Sequence, residues 1–357
     1  MMSTAIETTM DSILFKAEEK RIPLWAHLDI TYRCNLNCIH CYCQGLSESF
    51  THGRSEMTVE EIKSVIDELA QVGSLYLTLS GGEIFTHPHF FEIARYARER
   101  NFCLTLLTNG TLLNESIVKQ IKQLTPKSVE MSIYGTTAEV HDAITQTPGS
   151  FEKVVRAVKL LKENGIRVVM KSVIMKSNVH QAEALSQYSE ELGADDFNFT
   201  MEISRKNDGS VLPQQYQISP DDMKTIASNF ADPSQNTIHE FQDNPLEKPL
   251  CGAGLSTCYI SPFGDVYPCI QLLIPMGNAR EKPFREIWNA PSQLRDKLAV
   301  LNTYNDLPAC RTCDYVSVCR KCIGIAHLET CDMRQCYGTL RCISQIEYEL
   351  HCKGSSR

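Results

Sequence analysis

"CNLNCIHCYC", residues 34–43, sets four cysteines in ten positions directly after a strand-like run, "LWAHLDI" at 24–30. Thiols this dense serve as ligands rather than as packing residues. Cys34, Cys38 and Cys41 stand at i, i+4 and i+7 on a tight loop, with Cys43 left over two positions on. Three thiolates so spaced can hold three corners of a cubane iron–sulfur cluster, whose full ligation takes four. One iron is then open to bind something else, the logic that separates open catalytic zinc sites from closed structural ones. The same residues also allow a zinc site completed by His40 or Cys43.

Moving outward, the chain alternates strand-like and helix-like segments. After 24–30 come "SLYLTLS" (74–80), "CLTLLTN" (103–109), "SVEMSIY" (128–134), "RVVMKSVIM" (167–175) and "DFNFT" (196–200). Helical patterns at 58–73, 89–100, 114–124, 150–165 and 178–193 lie between them, with apolar residues at i, i+3 and i+4. Thr58 with Glu61 makes a capping box, and Gly73, Gly165 and Gly193 read as helix stops. Strands alternating with helices require a parallel sheet with right-handed crossovers. Six repeats fall short of a closed eight-fold barrel, so the expected fold is α/β, a partial (β/α)6 TIM-like barrel. Chemistry in such folds sits at the C-terminal strand ends, where the cysteine loop falls.

The second cysteine-rich region supplies Cys251, Cys258, Cys269, Cys310, Cys313, Cys319, Cys322, Cys331, Cys336, Cys342 and Cys352, whereas only Cys103 lies between 44 and 250. Two C-x2-C pairs five residues apart are a metal signal, and without context a zinc ribbon is the first reading. The organisation expected is an N-terminal extension (1–21), the barrel (22–207), a polar Pro-bearing linker with one helix in "SPDDMKTIASNF" (208–249), and a cysteine-rich iron–sulfur domain (250–357). Composition bounds the rest. A net charge of −8 argues against a nucleic-acid partner. No apolar run is long enough to span a bilayer, and the N-terminus has no secretory pattern. Sixteen cysteines in such a chain point to a reducing, cytoplasmic setting.

The Cys34-x3-Cys38-x2-Cys41 loop resembles the signature of the radical S-adenosylmethionine (SAM) enzymes. The resemblance implies that the open iron chelates SAM. An electron from a reducing donor such as flavodoxin or ferredoxin then cleaves it to a 5′-deoxyadenosyl radical, which takes hydrogen from an unactivated carbon. His40 fits the family's aromatic position before the last cysteine. "SGGE" (80–83) resembles the motif that grips the methionyl ammonium; "TNG" (108–110) and "SIYG" (132–135) fall at the next strand ends, and Lys171 on the fifth. The implied SAM contacts are His40, Gly81, Gly82, Glu83, Asn109, Ser132 and Lys171, within a resemblance covering roughly 22–205.

The C-terminal pattern, with "GDVYPC" (264–269), resembles the SPASM extension and implies two auxiliary 4Fe–4S clusters, three clusters in all. Carried over by residue, Cys251, Cys258, Cys269 and Cys322 hold the first, and Cys310, Cys313, Cys319 and Cys342 the second, with Cys336 as the alternative last ligand. Two rather than three residues separate Cys319 from Cys322, a departure from the pattern. Without Cys258 the first auxiliary cluster keeps an open iron. Cys43 reads as a bystander; Cys331 and Cys352 read as structural thiols, or as a hydrogen-atom donor to a substrate radical.

Relatives with both modules mostly modify peptides or proteins. The expected function is a radical SAM maturase of a ribosomally made peptide, by crosslink, thioether, epimerisation or a related change. Alternatives are a tetrapyrrole (haem-pathway) enzyme, a sulfatase-type formylglycine-generating maturase, and a non-enzymatic zinc-stapled scaffold with no use for the GGE motif. With so short a segment before the first strand, leader recognition is expected to need a separate leader-binding protein or another surface of the chain. No residue is assigned as general base.

Overall fold

A computed structural model describes residues 12–51, 53–230 and 244–354. Expectations for residues 1–11, for 231–243 of the linker and for the Cys352 side chain lie outside the described residues. The expected strands form as β1 (Trp25–Thr31), β2 (Tyr76–Gly81), β3 (Cys103–Thr108), β4 (Ser128–Ser132), β5 (Val168–Val173) and β6 (Asp196–Thr200), all parallel. Three further short strands, β7 (Thr257–Ile260), β8 (Asp265–Tyr267) and β9 (Gly277–Asn278), extend the sheet to the order β6-β5-β4-β3-β2-β1-β7-β8-β9. β6 and β9 each have one neighbour, so the barrel is open and partial.

The expected helices appear as α1 (Val59–Gln71), α2 (Phe90–Glu99), α3 (Glu115–Leu124), α5 (Ser150–Glu163) and α6 (Ala182–Glu191); α4 (Ala138–Thr145), between β4 and α5, is an addition. The Thr58 cap is complete: its hydroxyl accepts from the Glu61 amide at 3.2 Å, and the Glu61 carboxylate accepts from the Thr58 amide at 2.7 Å. Leu28, Ile30, Leu77, Leu79, Leu104 and Leu106 have no exposed surface and pack against buried residues of the helices, such as Ile62 and Ile66 of α1. Each such side chain contributes about 2 kcal/mol of burial.

The alternate residues of these strands make a polar inner face. Asp29 is fully buried there, accepting from Tyr259 Oη at 2.9 Å and facing His27 Nε2 at 3.0 Å. Tyr259 Oη lies 2.7 Å from Tyr32 Oη, which accepts from Asn207 Nδ2 at 3.0 Å. This chain of bonds ties β1, β7 and the segment after β6 together.

The linker helix forms as α7 (Pro220–Phe230). The second cysteine-rich region adds α8 (Ile323–Thr330) and α9 (Gly338–Gly354). A boundary at 250, drawn on cysteine density, does not divide the sheet, because β7 pairs in parallel with β1. Strands of two to four residues carry too little periodicity to be read from sequence. Trp288 is buried and Trp25 stacks on Tyr76 at 5.4 Å, both packing roles. No helix among the described residues is long and apolar enough to cross a membrane.

Candidate functional site

The cysteine loop leaves β1 at the mouth of the sheet and docks on the C-terminal end of α4. Asn37 and Ile39 donate their amides to the carbonyls of Thr145 and Ile144 at 3.1 and 3.0 Å. Gln44 Nε2 closes the loop onto Leu36 O at 2.6 Å. Cys38 packs beside Tyr134, Ile144, Met175 and Ile203. Burial pushes the Cys38 thiol up to about 12, with the charges of Cys41 and Cys34 adding to it; burial likewise raises Cys34. The three thiols therefore sense one another, and ionising all three in place calls for a cation among them. Cys34 Sγ accepts from Leu36 N at 3.4 Å and from Asn109 Nδ2 at 3.7 Å.

Cys43, expected to stand apart, is buried with its Sγ 3.8 Å from Cys41 Sγ. Its hydrogen bond, helped by the Lys206 ammonium nearby, brings Cys41 down to about 7 while Cys43 is driven up. The three positions from 41 to 43 thus hold a touching pair, not a ligand and an idle neighbour.

The two glycines of the "SGGE" stretch serve a close approach within the chain. Gly81 has φ +140°, and a Cβ there would lie 2.1 Å from Thr31 O; one on Gly82 would lie 2.4 Å from Arg33 O. That proximity lets Gly82 and Glu83 donate their amides to Thr31 O and Arg33 O at 2.7 and 2.9 Å, fixing the start of the cysteine loop. The Glu83 side chain is fully buried and accepts from Thr108 Oγ1 (2.7 Å), Asn109 N (2.7 Å) and Phe85 N (3.1 Å). Burial raises its pKa to about 7 against those three donors. The structure thus gives Glu83 the role of a brace between the β2 and β3 ends, where the motif alone suggests a hand held out to an ammonium. Asn109 continues the brace, its Nδ2 donating to Asn35 Oδ1 at 3.0 Å. Lys171, paired with Ser132 in the β4–β5 register, makes an ion pair with Glu130.

His40 stacks edge-on against Tyr134, ring centroids 4.7 Å apart. Burial lowers its pKa to about 4, so the ring is neutral, and its Nδ1 has no partner. It borders a cavity of about 320 Å³ that also touches the β5 and β6 ends (Val173, Thr200), the segment after β6 (Glu202, Arg205) and the second region (Gln271, Ile325).

In that second region the thiols fall into two groups. The Cys269 thiol is raised by burial and then by the charges of Cys322 and Cys251, so these three lie together. Cys322 caps the start of α8, and Gly324 lies so close to Gln271 that a Cβ would meet its carbonyl carbon at 2.6 Å, which holds the Cys269 and Cys322 segments together. Cys258 is not part of this group. It sits on β7 with 2% of its surface exposed, in the same apolar core as Leu28, and burial alone raises it. Strand alternation explains the difference, since Thr257 and Tyr259 on either side turn to the opposite face.

Cys310 senses Cys319, Cys313 and Cys336 after burial, and Cys319 senses Cys336 and Cys313. Cys336, the alternative last ligand, thus lies with this group. Cys342 lies on α9, and its charged neighbour is Asp221 of α7. Helix α9 packs against α7 and also brings Ser344 to Cys319, while Cys342 neighbours Asp221. Cys331 is exposed at the end of α8.

Two family models match the chain: "Radical SAM superfamily" over residues 28–187 and "Iron-sulfur cluster-binding domain" (SPASM) over 251–323. An AdoMet-dependent heme synthase of Methanosarcina barkeri is 30% identical over 334 residues, covering 85% of this chain and 92% of that protein. The antilisterial bacteriocin subtilosin biosynthesis protein AlbA of Bacillus subtilis is 31% identical over 77% of this chain, which spans 61% of that relative's length. The structure of anSMEcpe with bound AdoMet aligns with a TM-score of 0.68 at 18% identity, over 93% of both chains, a likeness of fold. The chain belongs to the radical SAM superfamily, with a SPASM iron–sulfur domain, and is an enzyme that uses SAM and iron–sulfur clusters.

Proposed function

We propose that this enzyme is a maturase of ribosomally made peptides, carrying three 4Fe–4S clusters. Cys34, Cys38 and Cys41 hold the SAM-binding cluster. Cys251, Cys269 and Cys322 hold the first auxiliary cluster, and Cys310, Cys313, Cys319 and Cys336 the second. No three Cys, His, Asp or Glu side chains among the described residues converge on a single-ion position. A cubane takes each thiolate at a different iron, so it suits thiols that neighbour one another without converging. SAM bound at such a cluster supplies a carbon-centred radical that takes hydrogen from an unactivated carbon.

The chain's own share is placement and the exclusion of water. The Gly81–Gly82 approach and the Glu83 brace fix the cysteine loop against β1, and Asn109 holds Cys34. Gly81, Gly82, Ser132 and Lys171 would contact SAM, with neutral His40 bordering its site. Electrons come from a reducing donor of the flavodoxin or ferredoxin type, and a separate leader-binding protein presents the substrate.

The observation that carries the peptide reading is the cavity between the cysteine loop and the second region. Its volume of about 320 Å³ is at the small end for ligand sites. That is room for an amino-acid side chain with its backbone. The likeness to the subtilosin biosynthesis protein points the same way. Haem-pathway chemistry is the second reading, favoured by the 92% coverage of the Methanosarcina barkeri heme synthase.

The test is to reduce the anaerobically purified enzyme and offer it SAM with either a short peptide encoded beside its gene or an iron porphyrin. A mass change in the peptide alone supports the proposal; a change in the porphyrin alone overturns it. Three clusters correspond to about twelve irons and twelve sulfides per chain.

A further inference from the structure

Besides His40 Nδ1, the cavity wall carries two further polar atoms without a hydrogen-bond partner. Glu202 Oε1 and Arg205 Nε are both shut off from solvent, and neither has a hydrogen-bond partner. Glu202 follows β6 directly and is partly fixed, its amide donating to Thr200 Oγ1 at 3.1 Å. Tyr337 Oη lies beside it, near enough to hold the carboxyl's pKa down but short of full hydrogen-bond geometry. Arg205 Nε is ion-paired with Glu329 Oε1 at 3.5 Å without hydrogen-bond geometry, and the same oxygen accepts from Gln214 Nε2 at 2.5 Å. Buried polar atoms left without partners are rare because each costs free energy on folding. Two of them, one acceptor and one donor, three residues apart on the wall of one cavity, call for an occupant that offers both a donor and an acceptor.

The rest of the wall limits what that occupant can be. Val173, Ile203, Ile270, Leu273, Ile325 and Leu328 make it largely apolar. A peptide unit flanking an aliphatic or aromatic side chain meets all three demands at once: its N–H for Glu202, its C=O for Arg205, its side chain for the apolar wall. Burial also raises the Glu202 carboxyl, with the Glu329 charge adding to it and the Tyr337 hydroxyl opposing it.

We propose that Glu202 and Arg205 clamp the backbone of the substrate peptide in this cavity, so that the residue presented there is apolar. The inference rests on the peptide reading above and adds the specificity of its site. Ser204 Oγ donating to Gln271 Oε1 at 3.0 Å joins the clamp segment to the second region, so both regions shape one subsite.

The test uses the cluster-loaded enzyme with N-acetyl-leucyl-leucinamide as probe, N-acetyl-aspartyl-aspartamide as control, and an iron porphyrin as competitor. Binding is read by saturation-transfer NMR and competition. Glu202→Gln removes the charge with little change of shape, and Leu328→Trp fills the cavity while keeping both polar atoms. Iron content and melting temperature report whether each variant is intact. Expected are binding of the leucine probe over the aspartate probe, about tenfold weaker binding by Glu202→Gln, and none by Leu328→Trp. Equal leucine-probe binding by the wild type and both intact variants overturns the clamp and leaves the peptide reading standing. Failure of both blocked peptides with tight porphyrin binding overturns the peptide reading and the clamp together. If neither variant is intact, mass mapping of a photoreactive leucine probe decides: crosslinks at Ile203 or Ile325 support the clamp, and crosslinks elsewhere overturn it.

Discussion

The two cysteine regions reach their thiol groups by opposite routes. The first uses one loop: Cys34, Cys38 and Cys41 lie within eight residues, and the docking of that loop on the end of α4 folds it back on itself. The second gathers Cys251, Cys269 and Cys322, then Cys310, Cys313, Cys319 and Cys336, through β7, α8 and the turns between. In the first, spacing picks out Cys34, Cys38 and Cys41 but misses the contact of Cys43 with Cys41. In the second, the fold decides, and a thiol of suitable spacing can face the wrong way, as Cys258 does.

The largest effect is expected where nothing can compensate. Cys38→Ala should bring 5′-deoxyadenosine formation to background and remove about four irons, by chromatography and iron assay. Full SAM cleavage by that variant would break the contrast at its stronger end. Next, Cys336→Ser should lose iron from the second region, whereas Cys342→Ser and Cys258→Ser should keep it. Cys258→Ser should also cost about 1–3 kcal/mol, because it buries a hydroxyl among apolar side chains. Iron loss from Cys342→Ser with retention by Cys336→Ser would reverse the assignment.

Gly82→Ala comes third. A Cβ 2.4 Å from Arg33 O must push the cysteine loop off the β2 end, at a cost of about 2 kcal/mol or more, seen as a lower melting temperature and incomplete cluster loading. The smallest effect concerns Glu83. Its folded pKa, about 7, lies above the unfolded carboxylate value, so the folded state holds the proton more tightly. That stabilisation is fully present below the unfolded pKa and is lost as pH rises through about 7. The stability of the wild type relative to Glu83→Gln should therefore fall between pH 5 and 8 by about 1–3 kcal/mol, the buried neutral His40 and His141 pulling the opposite way equally in both proteins. A pH-independent difference between the two would mean that the three donors around the carboxylate outweigh its burial.

Much of this molecule is legible in its sequence. The six strands that alternate with amphipathic helices, the Thr58–Glu61 cap and the linker helix all follow from local pattern. β7, β8 and β9 do not, because strands this short show no period and β7 finds its partner more than two hundred residues away. In the site, the spacing of Cys34, Cys38 and Cys41 carries its own geometry. Choosing between Cys336 and Cys342 does not, since both fit the count and only the fold shows that Cys336 neighbours the group and Cys342 neighbours Asp221. Cys43 could be read only as surplus, because two positions on a loop do not reveal that two sulfurs touch. Glu202 and Arg205 have no motif; their one sequence signal is a charged pair just past a strand end, where such folds place their chemistry.

The β1–β7 pairing has a consequence for anyone who would cut or graft this enzyme. The polar stretch around 208–249 looks like a natural joint, and a designer would sever the chain there. Doing so leaves the central strand with an unpaired edge carrying its row of free amides and carbonyls, an invitation to clump. A transplant of the cysteine-rich region onto another barrel must therefore match the recipient's first strand residue for residue, Trp25 to Thr257 through Leu28 to Ile260. Compatibility between the two halves is inherited through a strand seam, and homologous recombination at the apparent linker should give mostly insoluble offspring.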